Sequence, residues 1–153
     1  MLERASELFR RLTLDSFAGL RADYNDKGEA VLVGVRPSGA AVAVEGMSNG
    51  TCDQLYLALR LASLETELSN EEPLPLIVDD ILIMFDDDRA VAALQALVEL
   101  SRRTQVIFFT HHHHLLELAT RSLSGGTLMA HRLNGPSRNH AGGGSVIPTA
   151  NGN

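Results

Sequence analysis

Two short apolar runs, residues 73–78 and 105–109, place the strongest constraint on how this chain can fold. Neither run alternates with polar residues, which is typical of strands that are covered on both faces of a parallel sheet. Helical patterns alternate with the two runs, over residues 51–69, over residues 86–103 and through Leu115, Leu116 and Ala119. This order predicts an α/β fold in which a parallel sheet has flanking helices and right-handed crossovers.

The first third of the chain follows different patterns. Apolar residues recur at helical spacing from Met1 to about Leu20, with Arg and Glu on the other face, and predict an amphipathic helix. Residues 22–45 contain short β-branched runs between Gly-containing turns and predict a small antiparallel meander. Near the other end, residues 127–133 favour a last strand, and the Gly-, Ser- and Asn-rich residues 134–153 predict a disordered tail.

Composition narrows the class of protein. A length of 153 residues predicts one globular domain, and a single cysteine, Cys52, excludes a disulfide framework. No apolar run approaches the roughly 18 residues of a membrane span, and the charged N-terminus is unlike a signal peptide, so we expect a cytoplasmic protein with no membrane partner. A net charge of −6 argues against broad nonspecific binding to nucleic acid, so any DNA contact would be local.

Polar residues follow both apolar runs at the point where each predicted strand ends. Asp79 and Asp80 close the first run, and Thr110 and His111 close the second. In open α/β sheets, ligands bind outside the carboxyl ends of the strands. Two adjacent carboxylates there suit a cation, with Mg²⁺ as the natural candidate, and the alternative is a solvated loop with no ligand.

A turn of small residues, Met-Ser-Asn-Gly at residues 47–50, precedes the first long helix. Free backbone N–H groups and a hydroxyl at a helix N-terminus attract phosphate. The alternative is an ordinary helix cap, and Thr51 and Gln54 have the spacing of a capping box.

Taken in order, these elements resemble the C-terminal lobe of an ABC-type ATPase head, as found in SMC-like and double-strand-break repair ATPases, and most of all in the bacterial YhaN-like subgroup. Residues 47–51 (Met-Ser-Asn-Gly-Thr) resemble the family's signature motif, Leu-Ser-Gly-Gly-Gln, and residues 76–80 (Leu-Ile-Val-Asp-Asp) resemble a Walker B strand. Phe85-Asp86 has the spacing of the D-loop, and Thr110-His111 has that of the switch histidine. The resemblance covers about residues 1–133 and implies a P-loop NTPase-like fold.

The resemblance implies that two heads close on ATP and Mg²⁺. Ser48, Asn49 and Gly50 would bind, in trans, the γ-phosphate held by the other head. Asp79 would hold Mg²⁺ through water. Asp80, which stands where most members carry the catalytic Glu, would orient or deprotonate the attacking water. Because Asp is one methylene shorter than Glu, slow turnover is expected.

The remaining motifs imply contacts that form when the two heads close. Asp86 would contact the opposite head, although a helix cap explains it equally well. His111 would hydrogen-bond the γ-phosphate, with His112 as the alternative switch residue. The four consecutive histidines at 111–114 also have the composition of a metal-binding tract, but only His111 and His114 would share a face at a helix start.

One expected motif is missing from the chain. The sequence contains no Gly-x-x-x-x-Gly-Lys-[Ser/Thr], the loop that cradles phosphates. In the family, that loop lies at the other end of a long protein, and the two ends co-fold into one head. The resemblance therefore implies a lobe over residues 21–133 that is inactive alone, with residues 1–20 as the root of a coiled-coil arm. The implied partners are the N-terminal P-loop half, a second head in a homodimer, DNA and a nuclease, in DNA repair or processing.

Two other functions compete with this interpretation. In a Toprim-like nuclease, Asp79, Asp80, Asp86 and Asp88 would form a metal-binding cluster. That site needs an Asp-x-Asp on a strand and a further strand-end Glu, and neither is visible in the sequence. A noncatalytic dimerisation or docking lobe is the other alternative, since a missing P-loop half would leave a sheet edge and an apolar face uncovered.

Overall fold

The computed structural model describes residues 1–68, 74–133 and 145–147. Its contacts divide the chain into two units, residues 1–109 and residues 110–153. The α/β class predicted from the sequence is confirmed, with a parallel pair of strands, flanking helices and an antiparallel meander. None of the helices in the described ranges is both long and apolar enough to cross a lipid bilayer.

Helix α1, Leu2–Leu12, provides the centre of the first unit's core. Its apolar residues Ala5, Leu8, Phe9 and Leu12 recur at helical spacing and are at most 1% exposed. The helix packs against α2 (Asn49–Glu67), α3 (Asp87–Leu100) and β1 (Gly19–Tyr24). Burying one Leu or Phe side chain contributes about 1.5–3 kcal/mol, so the three large side chains of this face stabilise the unit substantially.

The first helix is shorter than predicted, because it ends at Leu12 rather than near residue 20. The Thr13 hydroxyl donates a hydrogen bond to the Phe9 carbonyl oxygen (2.8 Å), and the next two residues adopt positive φ angles of 51° and 59°. A left-handed backbone ends an α-helix, so the chain turns here. Phe17 then packs on Phe9, with ring centroids 5.0 Å apart, and returns the chain to the core.

The predicted antiparallel meander is confirmed. It consists of β1, of β2 (Ala30–Val35) and of β3 (Ala41–Ala43), paired in that order. Gly28 and Gly39 have φ angles of 76° and 86°, which allow the two tight turns between these strands. The meander begins at Gly19, three residues earlier than predicted, because β1 starts directly after the turn that follows α1.

The second half of the first unit alternates helix and strand, as predicted. A 3₁₀ turn, Val44–Gly46, leads into α2, which is followed by β4 (Leu76–Asp79), α3 and β5 (Val106–Phe109). The two strands are parallel, with Leu76 opposite Val106 and Asp79 opposite Phe109. Helix α3 ends at Leu100, a few residues before the predicted end at 103, and a turn over residues 101–103 leads to β5.

The prediction that β4 is covered on both faces is wrong within the described residues. Val78 is 7% exposed, whereas its neighbour Ile77 is 63% exposed. Successive side chains of a strand point to opposite faces, so one face of β4 is packed and the other is open. Among the described residues β4 pairs only with β5, so one edge of β4 is open as well. Strand β4 is therefore more apolar than its contacts within the first unit explain.

The second unit contains α4 (His113–Ser122), β6 (Ala130–Arg132) and β7 (Ser145–Ile147). The predicted helix and last strand are thus confirmed. Strand β7 pairs antiparallel with β6, so the prediction of a disordered tail is wrong at these three residues, where β-branched Val and Ile favour a strand. The rest of the predicted tail, 134–144 and 148–153, lies outside the described residues.

Two arginines of α1 join this helix to the C-terminal ends of α2 and α3. Arg4 Nε donates to Glu65 Oε2 in α2, and Arg11 Nη2 donates to Glu99 Oε1 in α3, each at 2.7 Å. The hydrogen-bonded guanidinium of Arg11 lowers the pKa of Glu99, although partial burial opposes this effect. In the other pair, the hydrogen-bonded carboxylate of Glu65 favours the charged guanidinium and so raises the pKa of Arg4. These pairs fix α1 at a defined position along both helices.

We expect Phe9→Ala to lower the free energy of unfolding by about 3–5 kcal/mol, because it removes a ring that is 0% exposed and leaves a cavity against Phe17. Urea unfolding followed by circular dichroism measures the change. Tyr24→Ala is the matched control, since Tyr24 is 75% exposed and its loss should cost less than about 0.5 kcal/mol. A cost for Phe9→Ala as small as that of the control contradicts its place in the core.

We expect the stabilisation from Glu99 to disappear in acid. Its folded-state pKa is lowered, so the contribution is present above the usual range of a glutamate and is lost as the pH falls through the folded-state value. Because the side chain is 41% exposed, solvent screening limits the effect to about 1 kcal/mol or less. Urea unfolding of wild type and Glu99→Gln at neutral and acid pH checks it, with the exposed Glu3→Gln as control. If the difference in free energy of unfolding between wild type and Glu99→Gln grows in acid instead of shrinking, the result contradicts the ion pair.

Candidate functional site

The turn before α2, residues 47–50, contains a side-chain cap. Ser48 is the N-cap of α2, and its Oγ accepts a hydrogen bond from the Thr51 backbone N–H at 3.3 Å. The prediction of an ordinary cap is confirmed, but the predicted capping box from Thr51 to Gln54 is wrong, because Ser48 already has the extended backbone that a cap needs. Gln54 is instead buried at 2% exposure, and its Oε1 has no hydrogen-bond partner among the described residues.

Capping leaves the Ser48 hydroxyl able to donate a hydrogen bond. Its Oγ lies 2.9 Å from Thr51 Oγ1, and either hydroxyl can be the donor in that pair. When Thr51 donates, the Ser48 proton is available to another acceptor, and both Ser48 and Asn49 are exposed. The first N–H groups of a helix also lack intrahelical acceptors. The turn can therefore offer a hydroxyl and backbone N–H groups to an anion.

Met47 fixes this turn against the meander. A β-carbon added at Gly34 in β2 would lie 2.8 Å from Met47 Cε and 2.7 Å from the Phe17 ring. These distances are shorter than van der Waals contact, so the two side chains can meet there only because residue 34 is glycine. The turn before α2 is thus in contact with the meander at β2.

Asp79 and Asp80 stand at the carboxyl end of β4. Asp79 is the last residue of the strand and lies opposite Phe109. The Asp80 backbone N–H donates to the Phe109 carbonyl oxygen at 3.0 Å, which continues the ladder for one more residue. Asp80 has a φ of 46°, in the left-handed region that Asp tolerates better than most residues with a side chain. Residues held in such conformations cluster at functional sites.

The donor chemistry at the end of β4 fits Mg²⁺. Asp79 is exposed and Asp80 is half-buried. Mg²⁺ is usually held by one or two carboxylates, while water and substrate phosphates complete its octahedral shell. Two carboxylates at a strand end that is open to solvent satisfy that requirement.

The loop from β4 to α3, residues 81–86, lies beside the turn before α2. Leu82 anchors it at 4% exposure, whereas Ile83 and Met84 are 57% and 63% exposed. A β-carbon added at Gly50 would lie 3.4 Å from the Met84 carbonyl oxygen. The structure thus brings the predicted phosphate-binding turn next to the loop that follows the two carboxylates.

Asp86 is the N-cap of α3, so its prediction as a helix cap is confirmed. Its Oδ1 accepts a hydrogen bond from the Arg89 backbone N–H at 3.0 Å, and its Oδ2 accepts one from Arg89 Nη1 at 2.7 Å. Asp86 and Asp88 therefore lie at the start of a helix. The nuclease hypothesis needs such an Asp-x-Asp on a strand, so this geometry does not support it.

His111 belongs to the second unit, where it precedes α4. The helix begins at His113 with His112 as its N-cap, so the predicted shared face of His111 and His114 does not form. The rings of His111 and His112 have centroids 4.0 Å apart. His113 Nδ1 lies 3.2 Å from Glu117 Oε1, one turn along α4. All four histidines are exposed.

Sequence reasoning missed three features of the first unit's site: the contact of Gly50 with Met84, the left-handed backbone of Asp80, and the ion pair of Asp86 with Arg89. The first two depend on tertiary placement and leave no local signal. The third did leave one, because Arg89 is the only Lys or Arg between Arg60 and Arg102 and stands three residues after Asp86.

Comparison with known sequences finds a bacterial relative of part of the chain. No family model matches the chain. Over 101 residues it is 34% identical to the uncharacterized protein YhaN of Bacillus subtilis (strain 168). The match covers 66% of this chain and 10% of YhaN, so the chain spans about a tenth of the length of this relative.

Solved structures of SMC heads share the fold. A structure from a study of ATP-driven dimerization and DNA stimulated activation of SMC ATPases matches with a TM-score of 0.59 at 15% identity, over 95% of this chain and 83% of its own. The SMC head bound to the C-winged helix domain of ScpA matches with a TM-score of 0.60 at 22% identity, over 78% of this chain and 36% of its own. The SMC head domain from Thermotoga maritima matches with a TM-score of 0.51 at 23% identity, over 76% of this chain and 40% of its own. Together with the YhaN match, these structures confirm the resemblance predicted from the motifs.

We expect Asp80→Gly to raise the free energy of unfolding by up to about 1 kcal/mol, because glycine adopts a positive φ without strain. Asp79→Gly is the matched control, since this neighbour lies in β4 and glycine in a strand should cost about 0.5–1 kcal/mol. Urea unfolding of both variants measures the difference. If both variants lose stability equally, Asp80 stores no backbone strain.

Proposed function

Because this chain is a homologue of part of YhaN and has the fold of an SMC ATPase head, we propose that it is the C-terminal lobe of such a head. The assembled head binds and hydrolyses ATP with Mg²⁺ as a dimer. One observation carries the proposal: Gly50, in an exposed turn suited to phosphate, lies against the loop that follows the carboxylates of Asp79 and Asp80. The lobe occupies residues 21–133, and α1 is the root of a coiled-coil arm.

In this proposal, the turn before α2 acts on nucleotide bound to the other head. The Ser48 hydroxyl and the Gly50 N–H donate to the γ-phosphate, and Asn49 adds a side-chain amide. These donors are already placed at a helix N-terminus, so they need little reorganisation when charge develops on the phosphate oxygens. The availability of the Ser48 proton, which depends on Thr51 acting as the donor in their shared bond, supports this role.

The two carboxylates at the end of β4 take different roles in this proposal. Asp79 holds Mg²⁺ through water, and bound Mg²⁺ supplies neutralisation of the phosphate charge. Asp80 orients or deprotonates the attacking water. Its side chain is one methylene shorter than the family's Glu, so its position depends closely on the backbone, and a misplacement of about 1 Å can slow a reaction ~10²-fold. Slow turnover follows from this geometry.

The open surface of β4 supports a partner that completes the head. Ile77 is 63% exposed, and Phe109, at the end of β5, is 41% exposed. An unpaired strand edge and exposed apolar side chains favour association. We assign this surface to the N-terminal half that carries the P-loop, since the chain itself contains no P-loop motif. ATP hydrolysis therefore requires that half.

The remaining partners follow from the likeness to SMC heads. ATP-driven dimerization and DNA stimulated activation are described for SMC ATPases, and other SMC heads bind ScpA domains. For this chain we propose a second head as partner, and DNA repair or processing with a nuclease as its setting. His111, exposed before α4, is the proposed switch residue that detects the γ-phosphate, with His112 as the alternative.

The exposed face of β4 also supports a second candidate function, a noncatalytic docking lobe. This candidate uses the same surface around Ile77 and needs no nucleotide. Mixing the chain with a P-loop half distinguishes the two functions. The ATPase head should hydrolyse ATP only in the mixture, whereas a docking lobe should form the complex without hydrolysis.

We expect Asp80→Asn to lower kcat of the assembled head by about 10²-fold or more, because the amide cannot accept a proton from water. The variant should retain nucleotide and hold the dimer closed, which gel filtration with labelled ATP measures. Asp26→Asn, in an exposed turn, is the control and should leave hydrolysis unchanged. Unchanged hydrolysis in Asp80→Asn removes Asp80 from this role.

A further inference from the structure

Residues 111–114, at the start of α4, contain four of the chain's six histidines in consecutive positions. The function proposed above uses His111, or His112 in its place, and leaves the other two without a role. All four side chains are exposed, so a small ion in solution can reach them. Neutral imidazole is the commonest protein ligand for transition metals and suits Zn²⁺, Cu²⁺ and Ni²⁺. This density of imidazoles therefore favours a transition-metal ion.

Helix α4 pairs one of these histidines with a carboxylate one turn further along. His113 Nδ1 lies 3.2 Å from Glu117 Oε1, and the two side chains are 66% and 58% exposed. Two ligand atoms that each lie about 2.1 Å from one Zn²⁺ ion in tetrahedral geometry are roughly 3.4 Å apart. The imidazole nitrogen and the carboxylate oxygen therefore already have nearly the spacing of two ligands of one ion.

A further imidazole adjoins this pair in the chain. His112 is the N-cap of α4, and among the described residues its ring caps no backbone N–H of the helix. The ring lies against that of His111, with centroids 4.0 Å apart, and the two rings have nitrogens within 4.8 Å of one another. Exposed side chains change rotamer within nanoseconds, so the His112 ring can turn toward an ion bound at His113.

An ordinary ion pair does not account for the whole arrangement. An exposed pair at (i, i+4) on a helix contributes only about 0.3–0.5 kcal/mol, and it needs one histidine. Three more imidazoles beside it add nothing to such a pair. Zinc sites, by contrast, use three or four protein ligands, with water in the fourth position where only three are present. A metal ion thus makes use of neighbouring histidines that the ion pair leaves unexplained.

We propose that His113 and Glu117, with His112 as third ligand, bind a divalent transition-metal ion of the Zn²⁺ class, and that water fills the fourth position. The sequence pattern indicated a metal-binding tract through a face shared by His111 and His114. The structure instead pairs His113 with Glu117 on α4, and so changes the ligand set. The inference is independent of the proposed function, because this site needs neither nucleotide nor a second polypeptide.

Isothermal titration calorimetry with Zn²⁺ tests the site on the full chain, made without a histidine tag. Mg²⁺ is kept in excess, because Mg²⁺ prefers carboxylate and water oxygens, whereas imidazole suits Zn²⁺. We expect one ion per chain, with a Kd below about 0.1 mM. His113→Gln should weaken binding about tenfold or more, and His112→Gln and Glu117→Gln about threefold or more, because each removes one ligand.

Two other histidines serve as matched controls. His114→Gln changes a member of the same tract that is not a proposed ligand, and His131→Gln changes an exposed residue of β6. Both should leave the Kd within about twofold of wild type. If His114→Gln weakens binding as much as His113→Gln does, the tract binds metal only as an unordered array of imidazoles, and the proposal is overturned. A wild-type Kd above about 1 mM overturns it as well.

Thermal unfolding followed by circular dichroism gives a second measurement. An ion joined to residues 113 and 117 bridges the first turn of α4, so Zn²⁺ should raise the melting temperature of wild type and have less effect on Glu117→Gln. An equal rise in both removes Glu117 from the site. The curves without Zn²⁺ show whether each variant folds, and if His113→Gln does not, Glu117→Gln decides. Neither measurement uses ATP, so this inference and the ATPase proposal can fail separately.

Discussion

The buried face of α1 is the contact on which the first unit depends. Leu8 and Phe9, both at most 1% exposed, belong to a face shared with two helices and a strand. Phe17 returns the chain to that face, and the same ring leaves room for Met47 only where β2 has a glycine. Phe17 therefore links the buried face of α1 to the turn before α2.

The two long helices of this unit bind α1 near one end and are capped by side chains at the other. Glu65 and Glu99 bind arginines of α1 near the C-terminal ends of α2 and α3, whereas Ser48 and Asp86 cap the N-terminal ends. With a rise of about 1.5 Å per residue, α2 separates its two ends by roughly 28 Å.

The spacing of apolar residues predicted most of the helices and strands. It could not predict side-chain exposure or backbone conformation, which depend on tertiary contacts. The parallel pair β4 and β5 follows from apolar runs, yet the same runs overstated the coverage of Ile77, because composition does not show whether a covering layer is present. The polar residues at 79–80 and 47–50 were visible as motifs. The left-handed backbone at Asp80 was not, because Asp is common in both extended and left-handed conformations.

The backbone of Asp80 constrains which acid this chain can carry at the end of β4. At a φ of 46°, aspartate and asparagine are tolerated because their short side chains can hydrogen-bond locally, whereas glutamate has no such compensation. A drift toward the longer acid would gain reach and incur steric conflict with the chain's own carbonyl. A glutamate at this position therefore calls for a different local backbone, so the length of the acid and the conformation of the strand end are coupled.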